Sequence, residues 1–505
     1  DMMKRFTRTL CLLVIAISSF AFAQIDTVIL VEEAALHFPP PGILQFKSSY
    51  ATLFDKNNRP YAYSANKESG LGIYDISASG TITPVIDVPI DSFNNLDVSN
   101  VEQAGNYLFL GIGDFQSNNA ASGMAIVDVS NPGMPVIADV WDSTAFLNGV
   151  SHLLVEGDFA YLSMMNDGLL ILDVSNKEAI KYVSDFVPDL SFPTSSAGHH
   201  QGRGLKYRND TIFYCYDRGG FRLIDVSDKY VPAELDKYIN TTLNTTAAAA
   251  YNDVAIKGSF AFLSLDYCGM EVVDMRTKPF TKILWHNPWG CSGTNWNGAD
   301  LHMNELILAN HDSLLFISAG NSNLIVFDVT NPLQTHQVGT FYDLNDSLGT
   351  YGVDVREEQV LVSYLNNPFD IPFRGDWGGL KLLSINQLLV RNEDLKPAHT
   401  ISVYPNPAGS QLEISTQMQI NRIDIFDLQG RLLKQFPDVY DSTIQLDITG
   451  FKSGSYLLCI HSTLVGNMRS ASVAKAMPGH LTILQHSNTQ FAATARTATA
   501  ILPMT

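Results

Sequence analysis

The sequence predicts an all-β chain, a seven-bladed β-propeller followed by a small β-sandwich. Three observations carry that prediction. An eight-residue phrase of glycine, apolar, any, apolar, apolar, aspartate, apolar and serine opens at Gly70-Leu71-Gly72-Ile73-Tyr74-Asp75-Ile76-Ser77 and returns until seven copies have passed. Each copy has a short aromatic-rich partner upstream, such as Phe159-Ala160-Tyr161-Leu162 or Phe260-Ala261-Phe262-Leu263. Beyond about residue 400 the pattern changes to a period of two, as in Ile423-Asp424-Ile425-Phe426-Asp427. Successive aspartates of the phrase, Asp75, Asp128, Asp173, Asp225, Asp274 and Asp328, lie 53, 45, 52, 49 and 54 residues apart, within the range of a propeller blade or a solenoid repeat.

Within one repeat, partner and phrase are joined by turns such as Met165-Asn166-Asp167-Gly168 or Asp217-Arg218-Gly219-Gly220. Glycine there allows positive φ, and asparagine or aspartate closes the turn through its side chain, so each pair is a hairpin. Extended stretches before and after the hairpin bring the count to about four strands per repeat, as in a propeller blade. Adjacent apolar residues inside the phrase, such as Ile73 with Tyr74 or Val272 with Val273, point to opposite faces of a strand, so both faces are buried. The repeated aspartate is read as architectural, its carboxylate accepting backbone amides of the following turn. Blade seven is short of an outer strand, and the lone apolar stretch Asp26 to Val31 is expected to complete it and so close the ring.

The N-terminus reads as a secretory signal peptide over residues 1–23: Lys4, Arg5 and Arg8 precede an apolar run, and Ala21-Phe22-Ala23 offers a cleavage site. No other run is apolar enough to span a membrane, so no transmembrane segment is expected in the mature chain. The whole chain carries a formal charge of -19, and removing residues 1–23 leaves 50 acidic against 29 basic residues. Such a surface repels polyphosphate, so nucleic acid is not an expected partner. Cys268 in a hairpin turn and Cys291 in the following loop occupy loop types that share one face of a propeller, and form the candidate disulfide.

Residues 391–400 form a polar linker, and residues 401–475 hold Tyr404-Pro405-Asn406-Pro407, Asp427-Leu428-Gln429-Gly430-Arg431 and Ser453-Gly454-Ser455-Tyr456. On these motifs the segment resembles the C-terminal sorting domain of proteins exported by the type IX secretion system of Bacteroidota, with Tyr404, Pro405, Asn406, Pro407, Gly430, Arg431, Gly454 and Tyr456 as the motif residues. The resemblance implies the secretion machinery as a partner, and passage through the periplasm to the cell surface or the exterior. In that family the domain closes the protein, whereas residues 476–505 follow here and are expected to be a disordered or misread tail. The repeats over residues 24–390, with phrases such as Leu170-Ile171-Leu172-Asp173-Val174, resemble the LVIVD-repeat family, which implies an extracellular propeller and little about its chemistry.

Propeller ligands bind where hairpin turns and inter-blade loops meet around the channel. Three aromatic loops nominate Trp289, Trp296 and Trp377 as platforms for a glycan or protein ligand, with Arg374, Asp376, His199, His200 and Arg203 as polar contacts. Packing of loop against loop explains the same tryptophans equally well. Asp97, Asp253, Asp300 and Asp354 head inner strands and are the candidate metal ligands, calcium being the candidate ion. No nucleophile or phosphate-loop motif occurs. A non-enzymatic surface or secreted binding module is therefore the leading reading, with a metal-assisted hydrolase or lyase and a structural surface-layer protein as alternatives.

Overall fold

The computed structural model describes residues 24–38, 47–114, 120–193, 200–243, 251–287, 291, 302–321, 323–341, 349–366, 375, 377–391, 401–404, 410–427, 432–451, 456–464, 467–470, 473–477 and 480–484. The chain divides into a unit of Ile25–Val390 and a unit that contains Arg391–Thr505.

The first unit is a propeller of seven four-stranded antiparallel blades. Blade 3 shows the plan, with strands His152–Glu156, Phe159–Ser163, Leu169–Asp173 and Lys181–Phe186 paired in chain order from the channel outward. Its third strand is the phrase and its second the aromatic partner. The seven inner strands are Lys47–Phe54, Val98–Ala104, His152–Glu156, Leu205–Arg208, Asp253–Lys257, Leu306–Ala309 and Thr350–Arg356. Each meets the next, and the last meets the first, so the ring is closed. Blade 7 is completed by the N-terminal strand Gln24–His37, which pairs with Gly379–Arg391 and extends beyond the stretch expected from the sequence. Val28 and Leu30 of that strand enter the core between blades 6 and 7, while Ala34 and the following Phe38 enter the core between blades 7 and 1.

Side-by-side apolar residues of the phrase are buried in different cores. Ile73 packs between blades 1 and 2, whereas Tyr74 packs between blades 7 and 1. Val272 and Val273 divide in the same way between the blade 5–6 and blade 4–5 cores. The glycine that opens the phrase is needed for a turn and for a close approach. Gly70 has φ +83°, and a Cβ there would lie 2.0 Å from the Val88 carbonyl oxygen of the outer strand. In blade 6 the phrase opens with Asn323 at φ +60°, asparagine being the side chain that best tolerates this region. The phrase aspartates perform the architectural task. In blades 1 to 6 each accepts the amide two residues on, at 2.7 to 2.9 Å, which closes the turn to the outer strand.

In the second unit, Ile401–Tyr404, Gln411–Asp427, Leu432–Asp447, Tyr456–Leu464 and shorter strands hydrogen-bond into one connected seven-stranded sheet. The two long strands pair in two stretches separated by register shifts, and Leu412, Ile414, Ile423, Ile425 and Leu446 are buried. Tyr404 and Tyr456 lie on strand ends, whereas Pro405, Asn406, Pro407, Gly430, Arg431 and Gly454 lie outside the described residues. Strands Val473–Met477 and His480–Leu484 pair with each other, and Val473 and Ala474 pair with Leu457 and Tyr456, so strand pairing reaches into the segment expected to be a disordered or misread tail. Residues 1–23 and 485–505 lie outside the described residues.

Truncating Ile73 to alanine, a side chain with no exposed surface, is expected to lower stability by about 2–5 kcal/mol in denaturant unfolding. The same chemistry at exposed Val136 is expected to change it by less than about 0.5 kcal/mol.

Candidate functional site

The face that carries the hairpin turns and inter-blade loops is held by two repeated devices. In the first, the opening residue of the hairpin turn adopts positive φ and turns its carbonyl to the next blade. Met165 (φ +47°) accepts from Gly202 N at 2.7 Å, Asp217 (φ +47°) from Tyr251 N at 3.2 Å, Asp266 (φ +38°) from Met303 N at 2.8 Å and Gly320 (φ +57°) from Thr350 N at 3.1 Å. Holding a non-glycine residue in this region costs about 1–2 kcal/mol, so the stitch is retained against local strain.

In the second, the residue that enters each inner strand latches to the following blade through its side chain. Ser99 Oγ donates to Val150 O at 2.6 Å, Ser151 Oγ to Gly202 O at 2.6 Å, Asn252 Nδ2 to Met303 O at 2.7 Å and Asn304 Nδ2 to Thr350 O at 3.0 Å. Blades 4 and 7 depart from this pattern. The equivalent positions hold Arg203 and Tyr351, a long cation and an aromatic ring where the other described blades keep a short polar latch.

Each departure sits among other polar or aromatic side chains of this face. Arg203 Nη2 pairs with Asp217 Oδ2 at 3.1 Å and Gln201 Oε1 at 3.2 Å. Asp266 meets His302 Nε2, and Tyr267 packs edge-on against the His302 ring with centroids 4.9 Å apart. Tyr267 and Tyr351 both pack on buried Leu365. Beside this cluster the Cys268–Cys291 disulfide, with Cα atoms 4.6 Å apart, ties the blade 5 turn to the loop that follows. Trp285 Nε1 donates to Cys268 O at 2.8 Å and braces the same turn.

The loops around the mouth are anchored by charges at the variable third position of the phrase. Arg222 in blade 4 is fully buried. It donates to Gly219 O, Asp189 O and Phe192 O and pairs with Glu234, which fixes the loop after blade 3. Glu271 in blade 5 gathers Asn240, Tyr238 and Tyr251 from the loop after blade 4. Lys381 in blade 7 pairs with Glu32 of the closing strand and lies over the rings of Tyr364 and Trp377.

Several residues nominated from the sequence do other work. Trp377 is no open platform, since it stacks on His37 at 5.4 Å, meets Tyr364 edge-on and is covered by Lys381. His200 bonds to Phe192 O at 2.9 Å and packs on Tyr216, which makes it a brace for its own loop. Asp253 Oδ2 accepts from Leu306 N of blade 6 at 3.1 Å, and Asp354 Oδ2 accepts from Phe54 N of blade 1 at 2.7 Å. These carboxylates therefore satisfy the inner-strand edge of the next blade instead of turning together toward an ion. Asp97 stands apart from them, 4.0 Å from Lys67 Nζ. Among the described residues, no three His, Cys, Asp or Glu side chains are placed to hold a metal. Arg203 lies at the mouth, whereas Trp289, Trp296, Arg374, Asp376, His199 and Asp300 lie outside the described residues. Glu305, Glu271, Arg222 and Tyr351 were not foreseen.

The profile of the LVIVD repeat matches residues 97–142 and 149–185, which are blades 2 and 3, and that of the secretion system C-terminal sorting domain matches residues 402–468. The chain carries LVIVD repeats and a type IX sorting domain. The sorting domain implies export to the cell surface or the extracellular space and interaction with the secretion machinery. Among solved structures, the propeller is similar to the WD40 repeats of RRP9 at 11% identity and TM-score 0.50, covering 72% of this chain and 99% of that one. It is also similar to U3-55K at 11% identity and TM-score 0.50, covering 70% and 98%. At that identity the likeness concerns the fold alone. No curated protein matches the chain. Among the described residues, no helix is long and apolar enough to cross a membrane.

Burial sets the pH response of the propeller. It raises Glu305 to about 8, helped by Asp253, and Glu271 to about 7. It raises Asp97 to about 7, helped by Glu68, and Asp354 to about 6. The folded state therefore keeps protons that the unfolded chain releases, so stability falls as pH rises from about 5 to about 8. His152, lowered to about 4 by burial and by Lys206, opposes this only below about pH 6.5. The melting temperature of the full chain is expected to decline between pH 5.5 and pH 8, and Glu305→Gln is expected to flatten the decline.

Proposed function

We propose that this exported LVIVD propeller is a non-enzymatic binding module that receives a glycan or a protein ligand at the channel mouth between blades 4 and 7. The observation that carries the reading is the break in the latch. Four described blades use that repeat position to tie themselves to their neighbour, and repetition of this kind is architecture. At this position blades 4 and 7 carry Arg203 and Tyr351 in place of serine or asparagine, a cation and an aromatic ring on the face where propellers take ligands. The loop that leads to Arg203 is held by Arg222, which takes the carbonyls of Asp189 and Phe192, so that side chain is positioned before a ligand arrives. The sorting domain supports the same reading by placing the propeller where extracellular polymers and proteins are met.

Binding of the full exported chain to a panel of purified polysaccharides and matrix proteins tests this. Tyr351→Ala is expected to weaken the partner found by about ten-fold or more, the loss of one well-packed anchor. Ser99→Ala, at the same repeat position in blade 2, is expected to leave affinity unchanged. Equal binding by wild type and Tyr351→Ala would remove the mouth as the ligand face.

A further inference from the structure

Neighbouring blades fill the third position of the phrase with two chemically different clamps. Arg222 in blade 4 holds the loop after blade 3 through Asp189 O and Phe192 O, and an arginine keeps its charge at every pH a folded protein meets. Glu271 in blade 5 holds the chain after blade 4, and a carboxyl group can keep or lose its proton. Ala125, Leu170 and Ile325 serve at the same position in blades 2, 3 and 6, so the fold itself asks for no carboxyl group there.

The network around Glu271 suits the neutral acid. The side chain is fully buried, with Asn240 Nδ2 donating to Oε1 and Tyr251 Oη donating to Oε2 at 3.3 Å. Tyr251 Oη itself accepts from Asn240 N at 2.9 Å, so its own proton is turned to the carboxyl group. Tyr238 Oη lies 3.4 Å from Oε2, where a hydroxyl can accept a proton as well as give one. Neutral Glu271 is therefore satisfied at both oxygens, Oε2 donating to Tyr238 while it accepts from Tyr251. The ionised form has no such balance. Lys282, the cation of the network, reaches Asn240 Oδ1 and Thr242 Oγ1, each at 3.2 Å, and lies over the Trp285 ring, one side chain away from the carboxyl group. A buried charge without a paired cation is costly, and burial accordingly raises Glu271 to about 7 although Asn240, Lys282, Tyr251 and Tyr238 act against it. Burial, with Glu271 beside them, pushes the Tyr238 and Tyr251 phenols up too, so both remain neutral donors.

We infer that Glu271 is a proton-controlled latch between blades 4 and 5, holding residues 238–243 and Tyr251 against the blade 5 phrase strand while it is neutral and loosening them when it ionises. The sign follows from linkage. Released into water, the carboxyl group titrates in its ordinary range near 4.5, whereas in the closed network it titrates near 7, so the closed form keeps a proton that the open form gives up. Closure is strongest below about pH 4.5, weakens as pH rises, and has lost this contribution above about pH 7. The loop held by Arg222 has no such dependence. One clamp of the mouth face is permanent and its neighbour responds to acid, whatever the propeller binds.

Hydrogen exchange of the full exported chain, read by mass spectrometry from pH 5.5 to pH 8 and corrected for the intrinsic rate of each amide, tests this. The amides of Asn240 and Thr242, which donate to Tyr251 Oη and Asn240 Oδ1, report the latch. Opening of residues 238–243 is expected to increase by about ten-fold or more over that range, each unit of pKa difference being worth a factor of about ten. Residues 187–193, held by Arg222, are the internal control and are expected to show no such increase. Glu271→Gln is neutral at every pH and is expected to abolish the increase. Glu271→Leu, which matches Leu170 of blade 3, is expected to do the same, so the test does not depend on one variant, and melting curves establish that each folds. Equal opening at pH 5.5 and pH 8 in the original protein would overturn the inference. So would an increase that persists in both variants, since another group would then control it.

Discussion

Burial of the phrase strand on both faces is the constraint on which the rest of the molecule depends. One side chain of an adjacent apolar pair packs toward the preceding blade and the other toward the following blade, so no blade completes its core alone. Ile126 enters the core between blades 2 and 3, and Val127 beside it enters the core between blades 1 and 2. A hydrophobic interface of this kind has to be repeated around the ring, and any gap would expose one apolar strand face to water. The N-terminal strand answers that need by filling the last blade from the other end of the chain. Phrase glycines, turn aspartates and positive-φ residues are local consequences, since each lets a strand end where its neighbour requires.

Against that regular frame the irregular residues carry the information. The variable third position of the phrase tolerates apolar side chains in blades 2, 3 and 6, as Ala125, Leu170 and Ile325, and becomes Arg222, Glu271 and Lys381 in blades 4, 5 and 7. All three charged residues hold segments near the mouth. The same blades replace the latch at Arg203 and Tyr351, keep strained aspartates at Asp217 and Asp266, and contain the disulfide. Departures from the repeat therefore fall in blades 4, 5 and 7, while blades 2, 3 and 6 keep the regular residues. A propeller that needed only to be stable would have kept the serine or asparagine latch in every blade, because each closes an otherwise open carbonyl.

Much of this architecture was legible in the sequence because it rests on short-range pattern. Spacing of the aspartates, apolar pairs inside the phrase and turn residues such as Asp217-Arg218-Gly219-Gly220 are local signals with a physical meaning. The site was less legible. Trp377 looked like a platform because a loop tryptophan is conspicuous, yet its surroundings are supplied by His37 from the far end of the chain. Asp253 and Asp354 looked like ion ligands because charge at the head of an inner strand suggests a channel, yet their acceptors are used by backbone amides of the next blade, which no local reading shows. Arg203 was visible as a charged loop residue, but its significance comes from comparison with its counterparts. Ser151, Arg203 and Asn252 each precede the aspartate of their own phrase by 22 residues, so an alignment of the blades against one another carries that signal.

The central claim is that blade 4 gives up an architectural latch in order to build a site. Replacing Arg203 by serine and Asp217 by asparagine in the same chain restores the latch and leaves no unpaired buried charge. The melting temperature of that double variant tests the claim most directly. The account predicts a value equal to or above that of the original protein, because serine closes the blade 4–5 junction as Ser151 closes the junction before it. A value several degrees lower would mean that the Arg203–Asp217 pair is itself part of the frame, and would contradict the account.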